Sequence, residues 1–163
     1  IDMDKKNIDL FNLKRPNDVN ICVAVSDREG EADMYHYHDG SPINTIEKKL
    51  AESRKYQNYK IKKTRTISIN KIVEDYKIEE LDYVNIDTEG SEYKILKNFN
   101  FAVRPIIFSI EFLDIELNRQ ELIYNKIENV LKSDIYNLFI RNDYKFINWL
   151  HQDLIFVDKK FLN

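Results

Sequence analysis

The stretch Tyr83-Val84-Asn85-Ile86-Asp87-Thr88-Glu89-Gly90-Ser91-Glu92 constrains the fold more than any other part of the chain. A short apolar run, Tyr83 to Ile86, delivers two carboxylates, Asp87 and Glu89, to its carboxyl end. Gly90 lets the backbone turn sharply, and Ser91 to Phe99 carries Ile95, Leu96 and Phe99 at helical spacing. A second apolar run, Pro105 to Phe112, brings another carboxylate, Glu111, close to its end. Two β-branched runs joined through a helix predict a β-α-β unit with parallel strands. Near-continuous apolar character suits strands covered on both faces. Ligands bind open α/β sheets at the carboxyl ends of such strands. Asp87, Glu89 and Glu111 are therefore expected on one sheet edge, facing a common crevice.

The rest of the chain extends this unit. Ile1-Asp2 reads as the end of a strand, and Asn7 to Leu13 as a short helix stopped before Pro16. Val19 to Val25 and Ala32 to His38 read as strands, the second alternating between its two faces. Thr45 is placed to cap a helix from Ile46 to about Tyr56. Arg65 to Ile69 is a short strand, and Asn70 caps a helix through Tyr76. Ile115 to Leu131 shows a helical apolar stripe, and Asp134 opens a further helical segment with Ile135, Leu138 and Phe139. Tyr144 to Trp149 and Leu154 to Val157 form a closing hairpin. The expected architecture is one α/β domain over residues 1–163. Its sheet is mainly parallel, with helices on both faces and an antiparallel C-terminal hairpin.

Composition narrows the function. The chain holds 25 basic and 28 acidic residues, so it lacks the basic excess of a nucleic-acid surface. Lysine clusters such as Lys60, Lys62, Lys63 and Arg65 read as solvated faces. A single cysteine, Cys22, excludes an intrachain disulfide framework and a cysteine zinc site, and its apolar strand predicts a buried, inert thiol. No apolar run approaches the ~18 residues that span a bilayer. Neither nucleic acid nor membrane is expected as a partner, and a cytoplasmic protein is.

Among chemical constellations, the acidic stretch comes first, and two readings of it stay open. Glu89 and Glu92 suit a helix N-terminus, where each carboxylate gains roughly 0.3–1 kcal/mol from the helix dipole. That reading does not explain why Asp87 ends an otherwise apolar strand, or why a neighbouring strand also ends in a carboxylate. His36 and His38 alternate on one strand face without an evident third ligand, so they are read as an exposed face, with no metal site. Ser26 and Ser109 lack a nucleophile-elbow context. The three glycines, Gly30, Gly40 and Gly90, allow no phosphate loop and no dinucleotide fingerprint.

At these residues the chain resembles the FkbM-type methyltransferases that use S-adenosylmethionine. The resemblance is most specific over Ile86-Asp87-Thr88-Glu89-Gly90-Ser91-Glu92 with Leu96, then Arg104-Pro105 and Ile110-Glu111. It extends to Ile1-Asp2, Phe11-Asn12, Arg15 to Asp18, Asn20 to Asp27 with Gly30, Asn44-Thr45, and the closing Tyr144-Lys145-Phe146 and Leu154 to Val157. The resemblance implies a Rossmann-like fold and methyl transfer from S-adenosylmethionine to a hydroxyl of a sugar or natural product. It implies that Asp2 holds the cofactor ribose and that Ser26 and Asp27 lie beside the adenine. Asp87 is then nearest the transferred methyl, with Glu89 and Glu111 lining the acceptor side. The family's first strand and glycine-rich cofactor loop have no counterpart in the sequence, which makes it read as the C-terminal portion of such a domain and a fragment of the enzyme. The residues alone also allow a divalent-metal hydrolase or nuclease using Asp87, Glu89 and Glu111 as oxygen ligands, or a non-catalytic interaction domain. Against the nuclease stands Phe112-Leu113 after Glu111, where such cores often carry Glu-x-Lys.

Overall fold

The computed structural model describes residues 1–54, 58–113 and 127–162. Helix α1 (Lys5–Lys14) starts where the Asp4 carboxylate accepts from the Lys6 amide, a side-chain cap on an orphan backbone donor. Strands β1 (Ala24–Ser26) and β2 (Gly30–His36) follow, then α2 (Lys48–Ser53), β3 (Lys60–Ser68) and α3 (Ile69–Asp75). The central unit is β4 (Tyr83–Ile86), α4 (Glu92–Leu96) and β5 (Ile107–Glu111). Helices α5 (Ile127–Lys132) and α6 (Asp134–Arg141) lead into β6 (Tyr144–Leu150) and β7 (Asp153–Asp158).

The strands form two small sheets. In the first, of order β1-β3-β2, β1 runs parallel to β3 and β2 antiparallel to it. A parallel bridge between Asp2 and Cys22 adds the N-terminal residues beside the segment entering β1. The second has order β4-β5-β7-β6, and its β4–β5 pair is parallel, with Asn85 opposite Ser109 and Ile86 opposite Ile110. The expected β-α-β unit is therefore present, as is the C-terminal hairpin. The expectation of a mainly parallel sheet is corrected: both sheets are mixed. One reason is β3, expected only from Arg65 to Ile69, whose lysine-rich, exposed first half extends the strand back to Lys60 and pairs antiparallel with β2. Its solvated face pairs across the ladder, with Lys63 Nζ 2.6 Å from an Asp33 oxygen. The other is β7, which inserts antiparallel between β5 and β6.

Several local expectations shift. Cys22 lies outside β1 and is exposed. His36 is buried and His38 exposed, so they do not form one solvated face. Ser68, not Asn70, caps α3, and Asn70 ties the end of the α4 segment by donating to the Asn98 carbonyl at 2.7 Å. Ser133 caps α6, leaving Asp134 in its first turn. Most of the expected helix from Ile115 to Leu131 lies outside the described residues, and α5 is its described end.

The core sits in the four-stranded sheet. Phe108, Phe139, Tyr144, Leu154 and Phe156 are fully buried. Phe139 stacks on Phe156 with centroids 4.2 Å apart and meets Phe108 edge-on at 4.8 Å. Each such burial contributes roughly 1.5–3 kcal/mol. A smaller cluster of Val23, Ile67 and Ile72 fills the three-stranded sheet, and Val25 packs against both clusters. No described helix is long and apolar enough to cross a membrane.

Candidate functional site

Ile86 is buried, so Asp87 is the residue at which the chain leaves β4, and its side chain is exposed. The reversal into α4 uses two consecutive left-handed residues, Glu89 at φ 56° and Gly90 at φ 98°. Gly90 adopts this backbone freely. Glu89 does so at a cost of roughly 1–2 kcal/mol, and neighbours from elsewhere in the chain hold it. Thr45 Oγ1 donates to the Glu89 carbonyl at 2.8 Å. Arg54 pairs its Nη2 with Glu89 Oε2 and anchors its Nη1 on the Ile43 carbonyl at 2.7 Å. Glu47 accepts from Ser91 Oγ at 2.8 Å and lies 3.3 Å from Lys94 Nζ. The 43–54 segment thus clamps the turn.

Glu92 closes the turn from within. It is 3% exposed, and its Oε1 accepts from Thr88 N at 2.8 Å, Thr88 Oγ1 at 2.9 Å and Gly90 N at 3.1 Å. Burial raises its carboxyl pKa, and these hydrogen bonds pull it back. The expected role as a dipole-stabilising residue is therefore too small: Glu92 is the internal acceptor that shapes residues 88–90.

Glu111, at the end of β5, is 6% exposed. Oxygens of Asp87, Glu89 and Glu111 all lie within 4.8 Å of one another, so the three expected carboxylates do converge. Burial pushes the Glu111 carboxyl up to about 9, helped by the charges of Asp87, Glu89 and Glu92 and by a hydrogen bond with Asp87. Asp153, opposite Glu111 in the β5–β7 register, is raised too, first by burial and then by Asp87. Asp87, Glu89, Glu111 and Asp153 thus crowd one edge, where Arg54 is paired with Glu89.

A cavity of about 140 Å³ adjoins this turn. It lies between the two sheets, walled by Ile1 to Met3, Val23 to Val25 and Ser41-Pro42 on one side and Asp87 to Glu89 on the other. Asp2 and Asp87 therefore line one space. The Asp2 carboxylate is oriented by the Asp4 amide at 2.7 Å and by Asn7 Nδ2 at 2.9 Å. Glu111 is not in the lining, and neither are Ser26 and Asp27. Ser26 is buried, and Asp27 lies 3.9 Å from Lys94 Nζ and 4.0 Å from Lys97 Nζ. A second cluster brings His36 Nε2 within 3.1 Å of Asp39 and 3.9 Å of Asp4, with Lys62 Nζ 3.1 Å away.

Sequence reasoning did not find Thr45, Glu47, Arg54 or Glu92 in these roles. Thr45 and Glu47 stand 44 residues from their partners and Arg54 stands 35 from Glu89, so no spacing signal links them. Glu92 did lie in the motif, and its burial is what the sequence concealed.

No match to a curated protein or to a solved structure was found. The family model described as the methyltransferase FkbM domain matches residues 3–146, most of the chain. That span includes β4, the turn, α4 and β5 with Asp87, Glu89, Glu92 and Glu111, and on this ground the chain belongs to the FkbM methyltransferase domain family.

Proposed function

We propose that the protein transfers a methyl group from S-adenosylmethionine to a hydroxyl of a small molecule or saccharide. What supports this reading is that Asp87, within the matched methyltransferase domain, lines one cavity with Asp2, which stands just before the matched span. S-adenosylmethionine supplies an electrophilic methyl on a sulfonium. The chain's own residues fit part of such a ligand. Asp2, with both oxygens oriented by protein donors, offers acceptor lone pairs to ribose hydroxyls. Val23, Val25 and Pro42 give the same cavity apolar walls. Asp87, exposed at the strand end, presents negative charge where a sulfonium is to be held. The cavity is smaller than the roughly 300–1,000 Å³ of ordinary ligand pockets, so the reading assigns it one segment of the cofactor. It gives Ser26 and Asp27 no contact there.

Asp87 also has a second task available. An acceptor hydroxyl must be positioned and must lose a proton, and a carboxylate fixed by a strand end and a clamped turn is suited to both. The hydrolase reading is supported by the convergence of the acidic trio alone, whereas the family supports transfer.

The test is calorimetry of the full protein with S-adenosylhomocysteine. Binding is expected, weakened at least about tenfold in Asp2→Asn with an unchanged melting temperature. Asp87→Asn is expected to stay folded and to lower formation of S-adenosylhomocysteine from a panel of hydroxyl acceptors by on the order of 10²-fold. Absence of binding, or Asp2→Asn binding as the wild type does, overturns the reading.

A further inference from the structure

We infer that Asp87, Glu89 and Glu111 form a binding site for one divalent cation, and that the cation carries the acceptor oxygen in the transfer proposed above. The inference rests on that reading for its purpose but not for the cation itself. Three carboxylate oxygens from three positions, none more than 4.8 Å from another, lie at the end of β4, in the turn and at the end of β5. Oxygens on one cation with bonds of about 2.4 Å are about 3.4 Å apart when adjacent and about 4.8 Å apart when opposite, so the three carboxylates lie close enough to close on a single ion through small side-chain rotations. The ligand set is all oxygen, which selects hard cations.

A cluster of acids is by itself ordinary on a protein surface. What sets this one apart is Glu111. It is 6% exposed, and its Oε2 is buried with no hydrogen-bond partner among the described residues. The hydrogen bond between Glu111 and Asp87 leaves Oε2 unmet, at a cost of about 1–3 kcal/mol or more, and the nearby Arg54 guanidinium is taken by Glu89 and the Ile43 carbonyl. A cation is the ligand that such an oxygen lacks. The other two positions are built for access and orientation. Arg54 fixes the Glu89 side chain, and Asp87 is exposed, so the ion is open to solvent on that side. Three protein oxygens leave coordination positions for water or for an acceptor with neighbouring oxygens, such as a sugar diol. Coordination lowers the pKa of a bound hydroxyl; its proton leaves to water, the oxygen bonds to the methyl carbon, and the methyl–sulfur bond breaks to release S-adenosylhomocysteine.

The experiment is titration of the full protein with Mn²⁺, free of any cofactor, following unbound Mn²⁺ by electron paramagnetic resonance. The expected result is one Mn²⁺ per chain, with affinity reduced at least tenfold in Glu111→Gln and in Asp87→Asn and unchanged in His36→Gln. Thermal melts of each variant in chelator establish that it is folded. No stoichiometric binding overturns the inference, as does binding that survives both carboxylate variants. Loss of binding in His36→Gln alone places the ion at the Asp4–His36–Asp39 cluster and also overturns it. S-adenosylhomocysteine calorimetry in chelator reads the methyltransferase proposal separately, so either can fail without the other.

Discussion

Replacing Glu111 by Gln should stabilise the metal-free protein at alkaline pH and flatten its pH dependence. In the folded state the Glu111 carboxyl is pushed up to about 9, first by burial and then by Asp87, Glu89 and Glu92. In the unfolded chain it titrates near ~4.3. Between those values the native state binds one proton that the unfolded state does not. Stability therefore falls as pH rises, by at most about 1.4 kcal/mol per pH unit for one proton. The contribution is fully present below the unfolded value and lost as pH climbs through the folded one. From pH 5 to pH 8 the ceiling is on the order of 4 kcal/mol, and relaxation of the acidic edge reduces it to roughly half. Gln fills the same volume, carries no charge and offers an amide donor to Asp87. Relative to wild type, Glu111→Gln should be near neutral at pH 5 and about 2–4 kcal/mol more stable at pH 8. Urea unfolding in chelator measures this, with Trp149 as the reporter; it is the single tryptophan and packs edge-on against Phe112, beside Glu111. Parallel pH profiles for the two proteins, or a Gln variant that is less stable at pH 8, would refute the assignment of a native-state proton to Glu111.

Two further predictions follow from buried acceptors. Glu92→Ala removes the acceptor of two backbone amides and a hydroxyl and should cost about 3 kcal/mol or more in urea unfolding, whereas Glu92→Gln, which keeps a carbonyl oxygen, should cost about 1 kcal/mol. Asp158 is 1% exposed, accepts from Arg104 Nε at 2.7 Å, and its pKa is lowered, chiefly by that hydrogen bond. Its contribution is present above the unfolded carboxylate value of about 3.9 and lost as pH falls through the lower folded one; Asp158→Asn should cost about 2–3 kcal/mol at pH 7 and shrink the acid-side loss of stability.

The fold was legible where apolar pattern and burial coincide. The Pro105 to Phe112 run contains β5, which is buried almost throughout, and Tyr83 to Ile86 pairs parallel to it as the helix crossover requires, although only Ile86 of this edge strand is buried and the expected cover on both faces is not found. The hairpin expected as Tyr144 to Trp149 and Leu154 to Val157 is present as Tyr144–Leu150 and Asp153–Asp158, with His151 at φ 55° in its turn. The pattern failed at β3, where Lys60 to Arg65 make a strand through pairing with β2 and not through their own hydrophobicity. A charged, half-solvated strand announces itself only beside its partner. The mainly parallel expectation failed for that reason, and because sequence order does not reveal that β7 lies next to β5.

The site divides along the same physical line. Asp87, Glu89 and Glu111 were legible because each stands at the end of a strand or in a turn whose geometry is local, and β4–β5 pairing then forces their convergence. The parts that hold the turn were not, since they arrive through tertiary packing: Thr45 on the Glu89 carbonyl, Arg54 on its carboxylate and Glu47 on Ser91. These contacts explain how a non-glycine residue keeps φ 56° at the centre of the site. Strain of about 1–2 kcal/mol is tolerated only where the surroundings over-determine the conformation. Glu92 supplies the inner half of that determination and the 43–54 segment the outer half. The turn of the acidic edge is thus preorganised, with the Glu89 carboxylate held by Arg54 before any ligand arrives. Placing like charges together in this way costs stability in the unliganded fold, and a site that keeps such a cost is one whose ligand carries the opposite charge, as both a sulfonium and a divalent cation do.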